Sequence, residues 1–581
     1  NVLFSQLQDL ETEKLIRLEA PDPKWEYAFR NVITQEVVYE GLLLAQRRQL
    51  HTDIGQVLEK LVPEEIERLA FHYSRSNDFQ KGMYYLHLAT ERARREYANQ
   101  AAVSYLDEML NLIANPPIEE QSNEPSSPPP NVTNQTNGYL QTYQTGLYST
   151  TYWDFLLERS QLYNLLGQRE EEAEDLGTLG VLAEALQDTR RRALAARQWS
   201  QYYEAAGDYA SGLETVERAV QLAEETEDQQ FVGEIYSSWG KMLFLSGDYT
   251  LASTQLQHAT EIAQDYHDEV AQADSLYNQG IIHFFQAHYD EALTYFQQAV
   301  DLWKKLNDQV NLGKGLRELG RSYFQLGQLM AAQEHLERAL TLMRKIHDSV
   351  SAAITQNYAG QVETRLGNYL IAEALFTSAQ KVHQETENQS AAAESKAYLG
   401  FLYSRQGNHE RAITTLEEAL ETIRELEDTW ALSTALTYYG WALIEAGDPH
   451  SAQLFLQEVL QIERDVKPGI DEAKIMEVLV LLGRTALARN DLSLASTCSR
   501  HALAHLNTHG TKGFEYPVRV YLTVYEMLMA LDKEAQAKDI LCEVSAFINT
   551  QAEQITDPGL RERFLTRVPE IRDVRSLIDE V

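Results

Sequence analysis

Apolar and polar positions alternate with a helical rhythm over most of this 581-residue chain. From Glu234 to Gly247, apolar residues recur at the spacing of a helix that buries one side, and Gly247 stands where such a helix ends. A second apolar pattern starts at Tyr249 and runs to about Gln264. Together the two segments predict a hairpin of two helices joined by a tight turn.

The hairpin pattern returns every 40 residues, and three sets of residues keep this interval. One set is a glycine inside the first helix, at Gly240, Gly280, Gly320, Gly360, Gly400 and Gly440. Another lies in the turn, at Gly207, Gly247, Gly327, Gly367, Gly407 and Gly447, with Ala287 in the one gap. The last marks the expected end of the second helix, at Asp228, Asp268, Asp308, Asp348, Asn388 and Asp428. A fixed period of this length is typical of stacked arrays, in which each unit buries its apolar face against its neighbours.

The interior glycines predict close packing within each hairpin. Glycine inside a helix costs about 1 kcal/mol relative to alanine, so its repeated use needs a structural reason. We expect the second helix to approach the first closely at these positions, because small residues also recur on the second helix. They stand at Ala252, Ala292, Ala332, Ala372, Ala412 and Ala452, and again at Ala259, Ala299, Ala339, Ala379 and Ala419.

These features resemble the tetratricopeptide repeat, a helical hairpin with an interior glycine, a Gly-Asp/Asn-Tyr turn and two alanines seven residues apart. The clearest matches are Ala206–Tyr209, Ser246–Tyr249 and Leu366–Tyr369. The usual unit of that family has about 34 residues, so the longer unit here predicts longer second helices. The resemblance covers residues 151–545 and implies an all-α, right-handed superhelical solenoid whose first helices line a concave groove.

In that family, side chains at fixed offsets from the interior glycine point into the groove. Carried onto this chain, the offsets give the candidate site residues Ser237, Lys241, Phe244, Tyr277, Phe284, Arg317, Arg321, Phe324, Asn357, Gln361, Arg365, Phe401, Arg405 and Trp441. Arginine and aromatic side chains contribute strongly to binding at interfaces. The arginines predict that the groove accepts an acidic peptide segment, whereas any single aromatic residue has the alternative of packing between repeats.

The amino-terminal region has a different pattern. Leu15–Leu18 and Trp25–Arg30 flank a proline-bearing turn and predict a β-hairpin. Helices are predicted at Ile33–Leu44 and Ala45–Leu61, which makes a winged-helix-like module. The acidic residues of the hairpin leave the wing without a basic tip, so we do not expect it to bind DNA.

Part of this region resembles large bacterial signal-transduction ATPases of the STAND type. The strings Tyr27–Leu42, Arg47–His51, Glu67–Tyr73 and Lys81–Leu86 carry the resemblance, with Asp557–Leu565 near the end. In that family the stretch lies between a nucleotide-binding module and a tetratricopeptide sensor. The resemblance implies a regulatory arm whose second partner is the nucleotide-binding module of the same parent protein.

The predicted organisation has five parts: a winged-helix-like module at 1–62, helical hairpins at 63–114, a flexible linker at 115–150, the superhelix at 151–545, and a capping helix with a tail at 546–581. The linker is rich in Pro, Ser and Asn and has too few apolar residues to offset the entropy of ordering.

The sequence lacks the common motifs for nucleotide binding, metal binding and catalysis. The fragment Gly313–Gly315 lacks the loop and hydroxyl of a nucleotide-binding P-loop. Cys498 and Cys542 form no CxxC pair, and no histidine pair forms an HExxH motif. We therefore expect no catalysis, cofactor or metal. A net charge of -37 argues against nucleic acid and anionic membranes as partners. With no spanning segment or signal peptide found, the expected location is the cytoplasm.

The sequence therefore predicts a non-catalytic sensor and regulatory arm of a STAND-type ATPase that binds a protein or peptide in the concave groove. Three alternatives stay open: a passive scaffold for complex assembly, the sensor domain of a maltose-activator-like transcription regulator, and an enzyme within the array. The missing catalytic motifs disfavour the enzyme. The sequence leaves the oligomeric state open.

Overall fold

Helical hairpins make up nearly all of the computed structural model, which describes residues 2–20, 26–96, 98–115, 148–386, 388–426, 428–466 and 472–580. The chain divides into two compact units, Asn1–Glu225 and Thr226–Val581. Most of the predicted linker at 115–150 lies outside the described residues, and a helix begins at Tyr148.

The first unit opens with helix α1 (Val2–Thr12) and the predicted β-hairpin. Strands β1 (Ile16–Ala20) and β2 (Glu26–Phe29) pair antiparallel, with Ile16 opposite Phe29. Helices α2 (Val32–Glu40) and α3 (Leu44–Leu61) follow. The hairpin and both helices are confirmed. The predicted end of the first helix at Leu44 is wrong, because α2 stops at Glu40 and the chain turns at Gly41.

Seven further helices lie in the described part of the first unit. They are α4 (Ile66–Ser74), α5 (Phe79–Arg95), α6 (Asn99–Ala114), α7 (Tyr148–Leu166), α8 (Arg169–Leu186), α9 (Thr189–Ala206) and α10 (Tyr209–Glu224). The apolar faces of α4 to α9 meet in one core that includes Leu69, Leu106 and Trp153. The buried Trp153 indole N–H donates to the Leu179 carbonyl oxygen at 3.0 Å, so the polar edge of this large residue is satisfied.

The second unit continues as an array of hairpins. Its helices are α11 (Gln229–Ser246), α12 (Tyr249–Asp265), α13 (Glu269–Phe285), α14 (Tyr289–Leu306), α15 (Gln309–Gln325), α16 (Leu329–Lys345), α17 (Ser349–Arg365), α18 (Tyr369–Glu385), α19 (Gln389–Arg405), α20 (His409–Glu425), α21 (Thr429–Glu445), α22 (Pro449–Val466), α23 (Glu472–Ala488), α24 (Leu492–His509), α25 (Pro517–Ala530), α26 (Glu534–Gln554), α27 (Pro558–Arg567) and α28 (Pro569–Glu580). None of the described helices has the length and apolarity needed to cross a membrane.

Side chains at both ends of the helices explain where each hairpin turns. The residues Asp228, Asp268, Asp308, Asp348, Asn388 and Asp428 accept a hydrogen bond from the backbone N–H three positions later. They are therefore N-caps of the next first helix. At the other end Gly247 has a φ of 98°, and Ala287 adopts the same left-handed region with a φ of 58°. This conformation favours glycine.

The interior glycines lie where the two helices of a hairpin touch, as predicted. A Cβ atom at Gly240 would lie 2.6 Å from Leu256 Cγ, and one at Gly360 would lie 2.4 Å from Phe376 Cε1. The alanines predicted to face this gap, including Ala252 and Ala332, are fully buried. The contacting side chains form a further set at the same interval, which the sequence analysis did not identify: Leu256, Phe296, Leu336, Phe376, Leu416 and Leu456.

The carboxyl-terminal helices form the end of the second unit. Helix α26 continues through residue 545, where the sequence placed the boundary of the cap. Helix α28 packs on both α25 and α26. We name α27 and α28 the C-terminal cap. Val568, Ile571 and Val574 from the cap are buried, so the cap covers apolar surface that the last hairpin would otherwise expose.

Candidate functional site

The first helices of successive hairpins in the second unit pack against one another and form its inner face. A cavity with a volume of about 130 Å³ lies on this face, and we name it the chamber. Residues of α13, α15, α17, α19, α21 and α23 line it, together with Tyr289 of α14, Leu336 of α16 and the segment 510–516 that joins α24 to α25. Its aromatic lining includes Phe284, Phe285, Phe324, Tyr358, Tyr398, Trp430 and Tyr438.

Contacts between distant repeats close the chamber. The rings of Phe285 on α13 and Trp430 on α21 meet edge to face, with their centroids 5.6 Å apart. On another side, the Gly513 backbone N–H donates to the carbonyl oxygen of Gln325 at 3.0 Å. The array therefore curls until helices four hairpins apart touch. The chamber is a feature of the folded array, since no single repeat contains it.

A buried ionic group lies beside the chamber on α15. The Glu318 carboxylate accepts from Arg317 Nε at 2.9 Å and from Arg321 Nη1 at 2.6 Å. Burial favours protonation of Glu318, but the charges of Arg321 and Arg317 outweigh it and hold the pKa below its ordinary value. The Arg321 guanidinium also lies 4.5 Å from the ring centroids of both Phe284 and Tyr358. Arg321 is thus already engaged by a carboxylate and two aromatic faces.

Carboxylates from three elements reach the chamber. Glu394 on α19 accepts from the Tyr398 hydroxyl at 2.9 Å, and Glu515 accepts from the Tyr438 hydroxyl at 2.6 Å. Glu477 on α23 accepts from a backbone N–H of the 510–516 segment at 2.7 Å. Burial raises the pKa of Glu394 above its ordinary value. The lining thus contains three carboxylates but only one of the predicted arginines, Arg321.

One lysine of the lining, Lys474, contacts both a carboxylate and an aromatic ring. Lys474 Nζ lies 2.8 Å from a carboxylate oxygen of Glu463 and 4.9 Å from the ring centroid of Trp430. Trp430 remains 49% exposed despite this contact.

Four of the predicted site residues line the chamber, namely Phe284, Arg321, Phe324 and Gln361. Arg317 and Tyr277 lie near these four residues. Burial raises the pKa of Tyr277, and the charge of the nearby Glu318 raises it further. Ser237, Lys241 and Phe244 are on α11 and do not line the chamber, although the Phe244 ring contacts Phe285 at 5.2 Å between centroids.

The remaining predicted residues lie inside the protein. Asn357 donates to Ser395 Oγ at 2.9 Å, and Arg365 donates to the carbonyl oxygen of Phe324 at 3.4 Å. The rings of Phe401 and Tyr438 stack with centroids 4.2 Å apart. The Trp441 indole donates to Glu445 at 2.7 Å. These side chains connect helices of the array and present little surface to a ligand.

Arg405 is covered by the C-terminal cap. Its side chain is 1% exposed and pairs with Glu570 on α28, while Glu445 lies 3.5 Å away. The Tyr369 hydroxyl also donates to the Arg567 carbonyl oxygen at 3.1 Å. This part of the inner face is therefore occupied by the chain's own end.

Sequence reasoning missed Glu394, Glu477 and Trp430. A signal for the two glutamates was present, because each stands six residues before the interior glycine of its helix, Gly400 or Gly483. The offsets used for prediction did not reach that far toward the amino end of the helix. Trp430 could not have been found from an offset, because its role depends on contact with a distant repeat.

One group in the described part of the chain has the side chains of a metal site. Ligand atoms of Glu472, His505 and His509 lie within 4.8 Å of one another. His505 is buried, and its Nε2 has no hydrogen-bond partner among the described residues. The two histidines are four residues apart on α24, a spacing that places them on one helix face. None of the three lines the chamber.

Comparison with known proteins confirms the repeat family. The family model of the tetratricopeptide repeat matches residues 231–305, 312–385 and 389–465. The array from α11 to α22 therefore consists of tetratricopeptide repeats. The search among curated proteins gave no match.

Several solved structures are similar in architecture. The Rap protein complexed with competence and sporulation factor is 15% identical, with 70% of this chain and 99% of that chain covered and a TM-score of 0.42. The apo quorum sensor NprR from B. thuringiensis is 14% identical, with 63% and 99% covered and a TM-score of 0.43. A STAND protein with a tetratricopeptide repeat sensor from Pyrococcus horikoshii is 15% identical, with 75% and 66% covered and a TM-score of 0.42. Similarity at this level does not transfer a function.

Proposed function

We propose that this chain is a non-catalytic ligand-binding sensor that acts as the regulatory arm of a STAND-type signalling ATPase. The observation that carries the proposal is the chamber, a partly open cavity lined by residues of eight helices of the array and of the 510–516 segment. Concave, mostly apolar spaces with a few polar groups are typical of ligand sites. The assignment to STAND proteins rests on the resemblance of Tyr27–Leu42, Arg47–His51, Glu67–Tyr73, Lys81–Leu86 and Asp557–Leu565, and it stays a prediction.

The contacts that close the chamber suggest how binding would be transmitted. The Phe285–Trp430 contact and the Gly513–Gln325 hydrogen bond each join repeats that are far apart in sequence. A ligand that fills the chamber would favour one curvature of the array over another. It can shift that equilibrium only by the difference between its affinities for the two states. The curvature would then be sensed by a nucleotide-binding module of the parent protein.

The test is capture of a ligand by the full chain from native lysate, followed by mass spectrometry of proteins, peptides and small molecules. The matched variants are Thr437→Trp, which places an indole in the chamber, and Thr414→Trp, which makes the same change on an exposed position of α20. We expect the wild-type chain and Thr414→Trp to retain the same ligand and Thr437→Trp to lose it, with both variants melting cooperatively. Equal capture by all three chains would contradict the proposal.

A passive scaffold gives a different result. In a sensor, hydrogen exchange of the 510–516 segment should slow when the captured ligand is present, because the segment closes the chamber. A scaffold would bind the ligand without that change in exchange.

A further inference from the structure

The size of the chamber limits what it can hold. Its volume is about 130 Å³. Sites for whole drug-sized ligands are typically larger, at about 300–1,000 Å³. The chamber therefore fits one group at the end of a ligand, the size of a long side chain's terminus.

The walls favour a positive charge. Faces of aromatic rings carry negative electrostatic potential and attract cations. The protein's own cations already use these walls in this way: Arg321 lies between Phe284 and Tyr358, and Lys474 lies over Trp430.

The charged residues of the lining also favour a cation. Its charged residues are Glu394, Glu477, Glu515, Arg321 and Lys474, so carboxylates outnumber cations. Both cations also have carboxylate partners outside the lining, since Arg321 pairs with Glu318 and Lys474 with Glu463.

Glu394 is the carboxylate best placed to receive a ligand. It accepts one hydrogen bond, from Tyr398, and forms no ion pair with the residues that the structure describes. Its side chain is only partly buried although α19 lies inside the array. A carboxylate in such surroundings gains from a cation that enters the chamber.

We propose that the chamber binds an alkylammonium or guanidinium group of the ligand, with Glu394 as its counter-ion and the aromatic rings as its walls. This inference rests on the proposed function, because it names the ligand chemistry of the same chamber. It replaces the acidic partner expected from the arginines, since Arg317, Arg321 and Arg405 already have carboxylate partners.

The test measures binding of defined probes to the full chain by isothermal titration. The peptide-like cations are N-acetyl-arginine amide and N-acetyl-lysine amide, and the free cations are butylguanidinium and butylammonium. N-acetyl-citrulline amide is the neutral counterpart of the arginine probe, and N-acetyl-glutamate amide is the acidic probe. We expect at least one cation to bind more than about tenfold tighter than both the neutral and the acidic probe.

Two protein variants check the role of the carboxylate. Glu394→Gln keeps the shape of the side chain and should weaken cation binding by about tenfold. Glu421→Gln makes the same change at an exposed position of α20 and should leave binding unchanged. If Glu394→Gln melts early, Glu515→Gln serves as the second variant, with a smaller loss expected.

The outcomes separate the possibilities. Tighter binding of the amino-acid amides than of the butyl cations identifies a basic peptide, and equal binding identifies a free amine or guanidine. Binding of the citrulline or glutamate probe as tight as that of the cations overturns the inference, and so does an unaltered affinity in Glu394→Gln. If no probe binds but Thr437→Trp still abolishes capture from lysate, the inference fails while the proposed function stands.

Discussion

Each interior glycine of the repeat array lies beneath a bulky side chain of the paired helix. Any Cβ atom at Gly360 would come within 2.4 Å of the Phe376 ring, which packing holds in place because Phe376 is 1% exposed. In contrast, Gly177 in α8 has open space around its Cα. The two glycines differ only in what surrounds them, which makes them a matched pair.

We predict that Gly360→Ala destabilises the protein by about 1–2 kcal/mol, because overpacking outweighs the gain in helix propensity. Gly177→Ala should instead stabilise its helix by about 0.5–1 kcal/mol. Chemical denaturation of both variants measures the two changes. A stabilising Gly360→Ala would show that the helices can separate at no cost.

The Arg405–Glu570 pair is the other residue-scale feature with a measurable consequence. Burial alone would raise the pKa of Glu570, but Arg405 and Arg519 outweigh it and hold the pKa below the ordinary value of 4.5. The pair's contribution to stability is therefore present above pH 4.5 and is lost as the pH falls through the lower pKa of the folded state.

We predict that Glu570→Gln costs roughly 3 kcal/mol at neutral pH, because Arg405 stays buried with only Glu445 beside it. The control is Glu458→Gln, which removes an exposed ion pair with Arg424 and should cost less than about 1 kcal/mol. Denaturant melts at pH 7 and pH 3 should show the difference between wild type and Glu570→Gln shrinking in acid. A difference that does not depend on pH would contradict the assignment.

At the scale of residues, the sequence analysis was right about features that a single helix determines. It identified the interior glycines and placed Arg321 and Phe284 on the inner face, where the chamber has them. It did not foresee that Glu318 would neutralise Arg321, nor that Glu570 would reach Arg405. Spacing along one helix does not report which side chains other elements bring close.

At the scale of elements, the hairpins are specified locally by an N-capping Asp or Asn and a left-handed turn residue. That is why the sequence predicted their order and their bounds to within a few residues. The 510–516 segment is different, because its position depends on a hydrogen bond to Gln325 on a distant helix. No local pattern marks it as the wall of a chamber.

Two glycines of this segment allow a controlled test. Gly513 and Gly510 have φ values of 85° and 66°, so alanine is strained at either position. A Cβ atom at Gly513 would also lie 2.8 Å from Ala473 Cβ, whereas one at Gly510 meets nothing within 4 Å. We predict that Gly513→Ala lowers the melting temperature more than Gly510→Ala and speeds hydrogen exchange at the Gly513 amide. Equal effects would mean that the segment is not held against α23.

For the whole molecule, the 40-residue period predicted a solenoid, and the repeat fold is confirmed. The period could not give the curvature of the array, because small rotations between hairpins add up over many units. The curvature is what brings Phe285 to Trp430, so the chamber was beyond prediction even though several of its residues were named.

The C-terminal cap supplies the prediction at this scale. Removing residues 557–581 should leave Arg405 without Glu570 and expose the apolar surface that Phe564, Ile571 and Val574 cover. We expect a lower melting temperature and concentration-dependent association, measured by light scattering after size-exclusion chromatography. A chain lacking only residues 579–581 is the control and should stay unchanged. A truncated chain that behaves like wild type would show that the cap is dispensable.

The contact between Phe285 and Trp430 has a consequence for how this array can evolve. Tandem repeats usually gain and lose copies readily, since each new unit needs only to match its neighbours. Here one extra or missing hairpin between α13 and α21 would move the two rings past each other and open the chamber. A change of copy number in this interval would therefore break a contact between non-adjacent units. We expect length variation among descendants of this sequence to fall outside residues 285–430.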